Sequence, residues 1–119
     1  MYNYAMSLIY KIVPRTLWEE ALQSGVFKGA PVDIRDGFIH FSTAKQLEET
    51  ANKHFKGQND LLLIAIEEDV LGDDLRYEVS RGGDLFPHLF STLQCQQVSS
   101  VTAFEADETG HFSFSELKI

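Results

Sequence analysis

The sequence contains little of several residue types that mark common classes of protein. It has one cysteine, Cys95, so no internal disulfide and no zinc site of the two-cysteine kind can form. No window approaches the run of roughly 20 apolar residues that a membrane-spanning helix needs, and Lys11 interrupts the apolar start of the chain. We therefore expect a soluble protein without a signal peptide or membrane partner, working in a reducing cytoplasm.

Basic residues are also scarce. The chain carries 18 acidic and 10 basic side chains, which gives a formal net charge of -8. Such a charge repels the phosphate backbone of nucleic acids, and no run of lysine or arginine offsets it. The expected partner is therefore a small molecule and not a nucleic acid.

Apolar and aromatic side chains are plentiful by comparison. They make up 44% and 12% of the 119 residues, enough for one hydrophobic core but not for two. No internal repeat, low-complexity tract or linker divides the chain. A single domain over residues 1–119 follows.

The first half of the chain predicts two strands and the first of two helices. Leu8–Val13 (LIYKIV) is rich in β-branched and aromatic residues, and Thr16–Ser24 (TLWEEALQS) has apolar residues at helical spacing. A capping box of Thr16 and Glu19 would begin that helix, and Gly25 would end it. The segment 26–36 (VFKGAPVDIRD) has the composition of a surface loop, and 38–42 (FIHFS) is predicted as the next strand.

The rest of the chain predicts one more helix and then mostly strands. A capping box of Thr43 and Gln46 precedes a helix that runs to Gly57. The segment 61–66 (LLLIAI) has no polar residue, which is typical of a central strand covered on both faces. The segment 75–80 (LRYEVS) alternates, which predicts a strand with Leu75, Tyr77 and Val79 in the core. The segment 97–114 is predicted as a terminal hairpin around DETG.

This order of elements predicts the fold class. Helices lie early and strands late, unlike the regular alternation of a doubly wound parallel sheet. The prediction is an α+β fold: a split, mixed or antiparallel β-sheet with two short helices in the N-terminal half.

The motif GFIHFST contains the first candidate functional histidine. Strand alternation places His40 on the same face as Phe38 and Ser42, and Thr43 follows at the start of the next helix. An imidazole, a hydroxyl and an aromatic ring together can hydrogen-bond and stack a small polar ligand. The alternative is a half-buried histidine that a backbone carbonyl holds at the edge of the core.

The motif GGDLFPHL contains the second. Pro87 restricts the backbone next to His88, and two glycines precede them, so the loop fixes the direction of the imidazole. We expect His88 and His40 to line opposite walls of one small-molecule pocket. The alternative is a rigid turn in which His88 caps backbone groups.

Charged residues flank this second motif. Arg76 and Arg81, with the backbone at Gly83, could neutralise and hold an anionic group. Glu78 lies on the same strand face as Arg76 and is either an acid/base group of the pocket or one half of a surface ion pair. No HxH, HExxH or cysteine-containing ligand spacing is present, so no metal site is expected.

The motifs LIYKIV, TLWEEALQSG, GFIHFST and LRYEVSRGGDLFPHL resemble those of a small bacterial family, domain of unknown function nine-five-two, over essentially the whole chain. That family is grouped with the ADP-ribosyltransferase-like fold, whose enzymes bind nicotinamide adenine dinucleotide (NAD) in the cleft of a split sheet. The resemblance therefore implies an NAD-like or ADP-ribose-like ligand and a transferase reaction. The alternative is a non-catalytic module that binds a metabolite or a protein on the same fold.

Enzymes of that larger group commonly have a histidine on the first core strand, followed by a small hydroxyl residue, and a late glutamate. Here the first strand offers Tyr10 and Lys11 instead, and His40 and Ser42 lie on the next strand. The resemblance implies catalytic roles for His40, His88 and Glu78. The ligand contacts that it implies, together with the motifs above, are Tyr10, Lys11, Ser42, Thr43, Arg76, Arg81 and Gly83.

Overall fold

The structure, a computed structural model, describes residues 7–114. Within that range the chain forms eight strands and three α-helices. In chain order these are β1 (Leu8–Pro14), α1 (Arg15–Ser24), β2 (Val26–Phe27), α2 (Pro31–Asp36), β3 (Ile39–His40), α3 (Ala44–His54), β4 (Leu61–Glu67), β5 (Leu75–Val79), β6 (Leu85–Leu89), β7 (Leu93–Gln94) and β8 (Ser100–Phe104). None of the helices in residues 7–114 is both long enough and apolar enough to cross a bilayer.

Strand β4 is the centre of the first sheet, whose order is β1-β4-β8 with both pairs antiparallel. Its six residues from Leu61 to Ile66 are all buried, as expected for an uninterrupted apolar run. Alternate side chains enter two different cores: Leu62, Ile64 and Ile66 pack in the core that contains α1, and the others pack in the core that contains α3. The prediction of a central strand covered on both faces is confirmed.

A second sheet has the order β3-β6-β5, again with antiparallel pairs, and β2 and β7 form a separate two-stranded ladder. The two larger sheets meet at one isolated bridge, where the backbones of Tyr10 and Ser42 exchange two N–H···O bonds of 2.8 Å. The sheet is thus split, and every strand pair in residues 7–114 is antiparallel. The predicted α+β class is confirmed in this antiparallel form.

Helices α1 and α3 lie where the sequence predicts them. Gly25 ends α1 in a left-handed conformation with φ 83°, and its N–H bonds the carbonyl of Ala21. The Thr43 N–H donates to the side chain of Gln46 at 3.0 Å, as the predicted capping box requires. The capping box predicted for α1 is wrong, because α1 begins at Arg15, directly after Pro14, and has no side-chain cap.

A third helix, α2, occupies part of the segment predicted as a loop. Pro31 stands at its first position, where the missing N–H is not needed, and Gly37 ends it with φ 90°. The side chain of Asp33 accepts a hydrogen bond from the backbone N–H of Ala30 at 2.7 Å. These local signals allow one and a half turns of helix without an apolar repeat, which is why periodicity did not indicate it.

The predicted core face of β5 is also wrong. Val79 is 69% exposed and Tyr77 is 40% exposed, whereas Leu75 is half-buried. Strand β5 lies at the edge of its sheet, with β6 on one side only, and its apolar residues beyond Leu75 are exposed.

The predicted terminal hairpin is only half right. A turn does form, with the Gly110 N–H bonded to the carbonyl of Asp107, but residues 111–114 form no strand. Strand β8 pairs with β4 instead. Phe112 is held by two hydrogen bonds with the Asn52 amide and packs its ring against Phe104 at 5.5 Å.

Candidate functional site

A pocket of about 510 Å³ opens where the two larger sheets and α3 come together. This volume is in the range of small-molecule sites, roughly 300–1,000 Å³. Strand β1, helix α2, strand β3, helix α3 and strand β6 all contribute to its lining. The polar side chains among the lining residues are Tyr10, Lys11, His40, Ser42, Thr50, His54, Ser80 and His88.

His40 and His88 both line this pocket. They are direct partners in the antiparallel register of β3 and β6, and their ring centroids are 5.4 Å apart. Phe38 contacts both rings, stacking on His88 at 4.1 Å and tilting against His40 at 4.5 Å. The two histidines therefore lie side by side on one wall, and the expectation of opposite walls is wrong.

Asp33 organises the polar groups behind this wall. Its side chain is 1% exposed and lies 3.0 Å from Nζ of Lys11. It also lies 2.7 Å from Nδ1 of His40 and accepts backbone N–H bonds from His40 at 3.1 Å and Ala30 at 2.7 Å. One buried carboxylate thus joins α2 to β1 and β3.

The charge states of this cluster follow from its partners. Burial alone would raise the pKa of Asp33, but the hydrogen bond from His40, the Lys11 charge and the two backbone N–H bonds together lower it. Burial lowers the pKa of Lys11, and the Asp33 carboxylate partly opposes that effect. Because Asp33 has several donors, we take it as ionised and paired with the Lys11 ammonium.

Both ring nitrogens of His40 face carboxylate oxygens. Nδ1 lies 2.7 Å from Asp33, and Nε2 lies 3.0 Å from Oδ2 of Asp36, the last residue of α2. Two carboxylates can both accept from one ring only when both nitrogens carry hydrogen. In this arrangement His40 has no ring nitrogen left for a ligand.

His88 is engaged at one nitrogen only. Its Nδ1 lies 2.8 Å from Oε1 of Glu78, a residue on the neighbouring strand β5. No side chain in the described part of the chain bonds Nε2, and no buried side-chain nitrogen there lacks a partner. His88 is one of the residues that line the pocket. A carboxylate that orients an imidazole in this way produces an acid/base group at the far nitrogen.

The other predicted ligand contacts divide into two groups. Tyr10, Lys11 and Ser42 line the pocket, and the Ser42 hydroxyl lies 3.1 Å from that of Thr50. Burial raises the pKa of Tyr10. Of the remaining contacts, Thr43, Arg76 and Gly83 lie outside the lining.

Thr43 caps α3 and does not line the pocket. Arg76 places its guanidinium 5.0 Å from the ring centroid of Phe90, also outside the lining. Gly83 is exposed, with φ 84°, in a turn between β5 and β6. The side chain of Arg81 lies outside the described part of the structure.

Sequence reasoning missed Asp33 and Asp36. Both lie in the segment 26–36, whose composition predicts a surface loop, because a six-residue helix leaves no periodic pattern. The sequence does contain a signal: Asp33 and Asp36 lie seven and four residues before His40, and Gly37 can end a helix before that histidine. No group of three or more histidine, cysteine or acidic side chains within residues 7–114 is arranged to hold a metal ion.

Solved structures share this fold closely. The crystal structure of protein CC0527 from Caulobacter crescentus is 44% identical, with a TM-score of 0.89 over 92% of this chain and 96% of that chain. The solution NMR structure of CC0527 has a TM-score of 0.85 over 93% of this chain and 96% of that one, also at 44% identity. No curated protein matches the sequence.

The sequence of residues 12–101 matches the family described as proteins of unknown function, DUF952. The match spans most of the chain and includes both histidine motifs, helices α1 to α3 and strands β3 to β7. It agrees with the family that those motifs resemble. The chain therefore belongs to the DUF952 family.

Proposed function

We propose that the protein binds a nucleotide-like small molecule, of the NAD or ADP-ribose type, in the pocket beside His88. The observation that carries the proposal is the Glu78–His88 pair, in which a carboxylate orients an imidazole that lines a cavity of ligand size. The cavity also combines aromatic and apolar lining residues with polar ones that could orient a small molecule. A net charge of -8 supports a small ligand over a nucleic acid, and the single cysteine supports a cytoplasmic setting.

The fold gives this proposal its chemical direction. We take the split between the two sheets, bridged at Tyr10 and Ser42, as the cleft for NAD, because the sequence motifs resemble a family grouped with the ADP-ribosyltransferase-like enzymes. In a transfer reaction, the bond between ribose and nicotinamide breaks, and nicotinamide leaves with the bonding electrons. The acceptor hydroxyl forms the new bond to the ribose carbon, and Nε2 of His88 takes the hydroxyl proton. Glu78 orients the imidazole.

A non-catalytic binding module is the second candidate, and one observation favours it. The groups on the first strand and on β3 that could hold a ribose are Lys11 and His40, and both are engaged by Asp33. A site that retains one acid/base pair but lacks a free ribose contact suits binding without turnover. Only a turnover measurement separates the two candidates.

The experiment is thermal unfolding with NAD, ADP-ribose, nicotinamide and nucleosides, followed by product analysis for each ligand that binds. A ligand at about 100 times its dissociation constant adds roughly 2.7 kcal/mol to folding stability. We expect His88→Gln to abolish the shift. His111→Gln is the matched control, because His111 is half exposed, lies outside the pocket and also faces a glutamate, Glu48.

The outcomes are distinct. A shift that His88→Gln removes and His111→Gln preserves supports the proposed site, and product formation then selects the enzyme. Binding without product selects the binding module. If no compound shifts the wild type, or if both variants lose the shift equally, the proposed pocket is wrong.

A further inference from the structure

We infer that the pocket selects the uncharged nucleoside portion of its ligand and discriminates against a phosphate group. This inference rests on the proposed function and specifies which part of the molecule the cavity accepts. It follows from counting which hydrogen-bond donors, acceptors and charges remain available at the pocket wall.

Among the described residues that line the pocket, Lys11 is the only lysine or arginine, and three protein oxygens surround its ammonium. An ammonium has three N–H donors. Nζ lies 2.9 Å from the carbonyl oxygen of His40, 3.0 Å from Oδ2 of Asp33 and 3.3 Å from Oδ1 of Asp33. Because three oxygens face the three donors of the ammonium, no donor remains for a phosphate oxygen. The Lys11 side chain is also buried.

The charges around the two histidines are mainly negative. Asp33 and Asp36 contact His40, and Glu78 contacts His88. The Lys11 ammonium opposes these three carboxylates. His40 adds a second positive charge when both of its ring nitrogens carry hydrogen. Arg76 on the neighbouring strand packs over Phe90 and does not line the pocket. Such a wall repels an anion at short range.

The far nitrogen of His88 is a hydrogen-bond acceptor when the ring is neutral. Because the Glu78 carboxylate is an acceptor, the hydrogen of a neutral His88 ring lies on Nδ1, and Nε2 has a free lone pair. A ribose hydroxyl or a base N–H can donate to that atom, whereas an ionised phosphate oxygen cannot. The hydroxyls of Ser42 and Thr50 lie 3.1 Å apart and form a hydrogen bond with each other.

The first test uses matched pairs of ligands that differ only in the phosphate. Calorimetric titration of the full chain at pH 7.5 compares adenosine with adenosine monophosphate, and uridine with uridine monophosphate. We expect each nucleoside to bind at least about tenfold more tightly than its monophosphate, a difference of about 1.4 kcal/mol. Equal or tighter binding of the monophosphates would overturn this inference and leave the proposed nucleotide site intact. If neither member of either pair binds, and NAD and ADP-ribose also fail, the proposed function falls together with the inference.

The second test uses Glu78→Gln to alter the wall itself. The amide removes one negative charge and can donate to Nδ1 of His88, which permits a ring with its hydrogen on Nε2, facing the pocket. We expect the preference for nucleoside over monophosphate to fall by about fivefold, the size of one screened charge at this range. Glu48→Gln is the matched control, because Glu48 also faces a histidine, His111, at 3.5 Å but lies outside the pocket. An unchanged preference in Glu78→Gln, or an equal change in Glu48→Gln, would refute the role of this wall.

Discussion

Replacing Asp33 with asparagine tests the most connected polar group of the fold. The substitution keeps the shape of the side chain. Because the Ala30 N–H donates to Oδ2 and the His40 N–H to Oδ1, the amide keeps an acceptor for only one of them. It removes the charge that pairs with Lys11, and Lys11 is 8% exposed. The ammonium would then face the carbonyl of His40 and a neutral amide in place of the carboxylate.

The expected loss is large because one charge stays buried. Breaking a buried ion pair by removing one member typically costs about 3–5 kcal/mol. The total stability of a domain is only about 5–15 kcal/mol, so the variant should unfold at a much lower urea concentration. Asp36→Asn is the matched control. It makes the same change on a residue that contacts the same histidine, but its side chain is 34% exposed, so we expect a much smaller loss.

Urea unfolding followed by tryptophan fluorescence suits this measurement. Trp18 is the only tryptophan of the chain and is 3% exposed, so its emission reports the loss of the core that contains α1. The double variant Lys11→Met with Asp33→Asn removes both charges. We expect it to be more stable than Asp33→Asn alone by at least about 1 kcal/mol, which is the coupling that adjacent residues show.

Two results would refute this reasoning. The first is a loss below about 1 kcal/mol for Asp33→Asn, which would mean that the buried ammonium tolerates its isolation. The second is additive behaviour of the two substitutions, which would mean that Lys11 and Asp33 do not depend on each other.

Two further predictions concern the same carboxylate. Because the folded pKa of Asp33 lies below its usual value, the stability from its ionised form is full above about pH 4 and is lost as the pH falls through the folded pKa. The gap in unfolding free energy between wild type and Asp33→Asn should therefore be constant from pH 5 to 7 and shrink below about pH 4; a gap unchanged down to pH 3 would contradict this. Gly29→Ala should destabilise more than Gly57→Ala in the same urea assay. Both glycines have positive φ, which costs at least about 1 kcal/mol, but only at Gly29 would a Cβ meet Asp33, at 2.8 Å; equal losses would argue against this close contact.

The parts of the fold that could be predicted are those with a complete local signal. Strand β4 is an apolar run between polar segments, and α3 combines a cap, a helical repeat and a following glycine. Helix α2 could not be predicted in this way, because its six residues bury only Asp33. The exposed side of β5 could not be predicted either. Alternation shows that a strand has two faces, but the position of the strand in its sheet decides whether anything covers them.

Prediction of the candidate site from the sequence meets the same limit. Backbone restriction around GGDLFPHL and the alternation of GFIHFST were enough to select His88 and His40. Their direct pairing across β3 and β6 depends on a contact between residues far apart in the chain, which no local pattern contains. The partners that distinguish the two histidines, Asp33 and Asp36 for one and Glu78 for the other, follow from that same arrangement.

This division of partners separates the stability of the site from its chemistry. Asp33 ties α2 to β1 and β3 and occupies Lys11 and His40, so changes there act on folding before they act on a ligand. Glu78 and His88 lie on the neighbouring strands β5 and β6, and the Glu78 side chain is 42% exposed. Loss of this pair therefore leaves the buried network around Asp33 intact. Substitutions at His88 or Glu78 should therefore change ligand binding with little effect on unfolding, whereas Asp33→Asn should change both. Equal destabilisation by all three would mean that the histidine wall is one structural unit and not a ligand site.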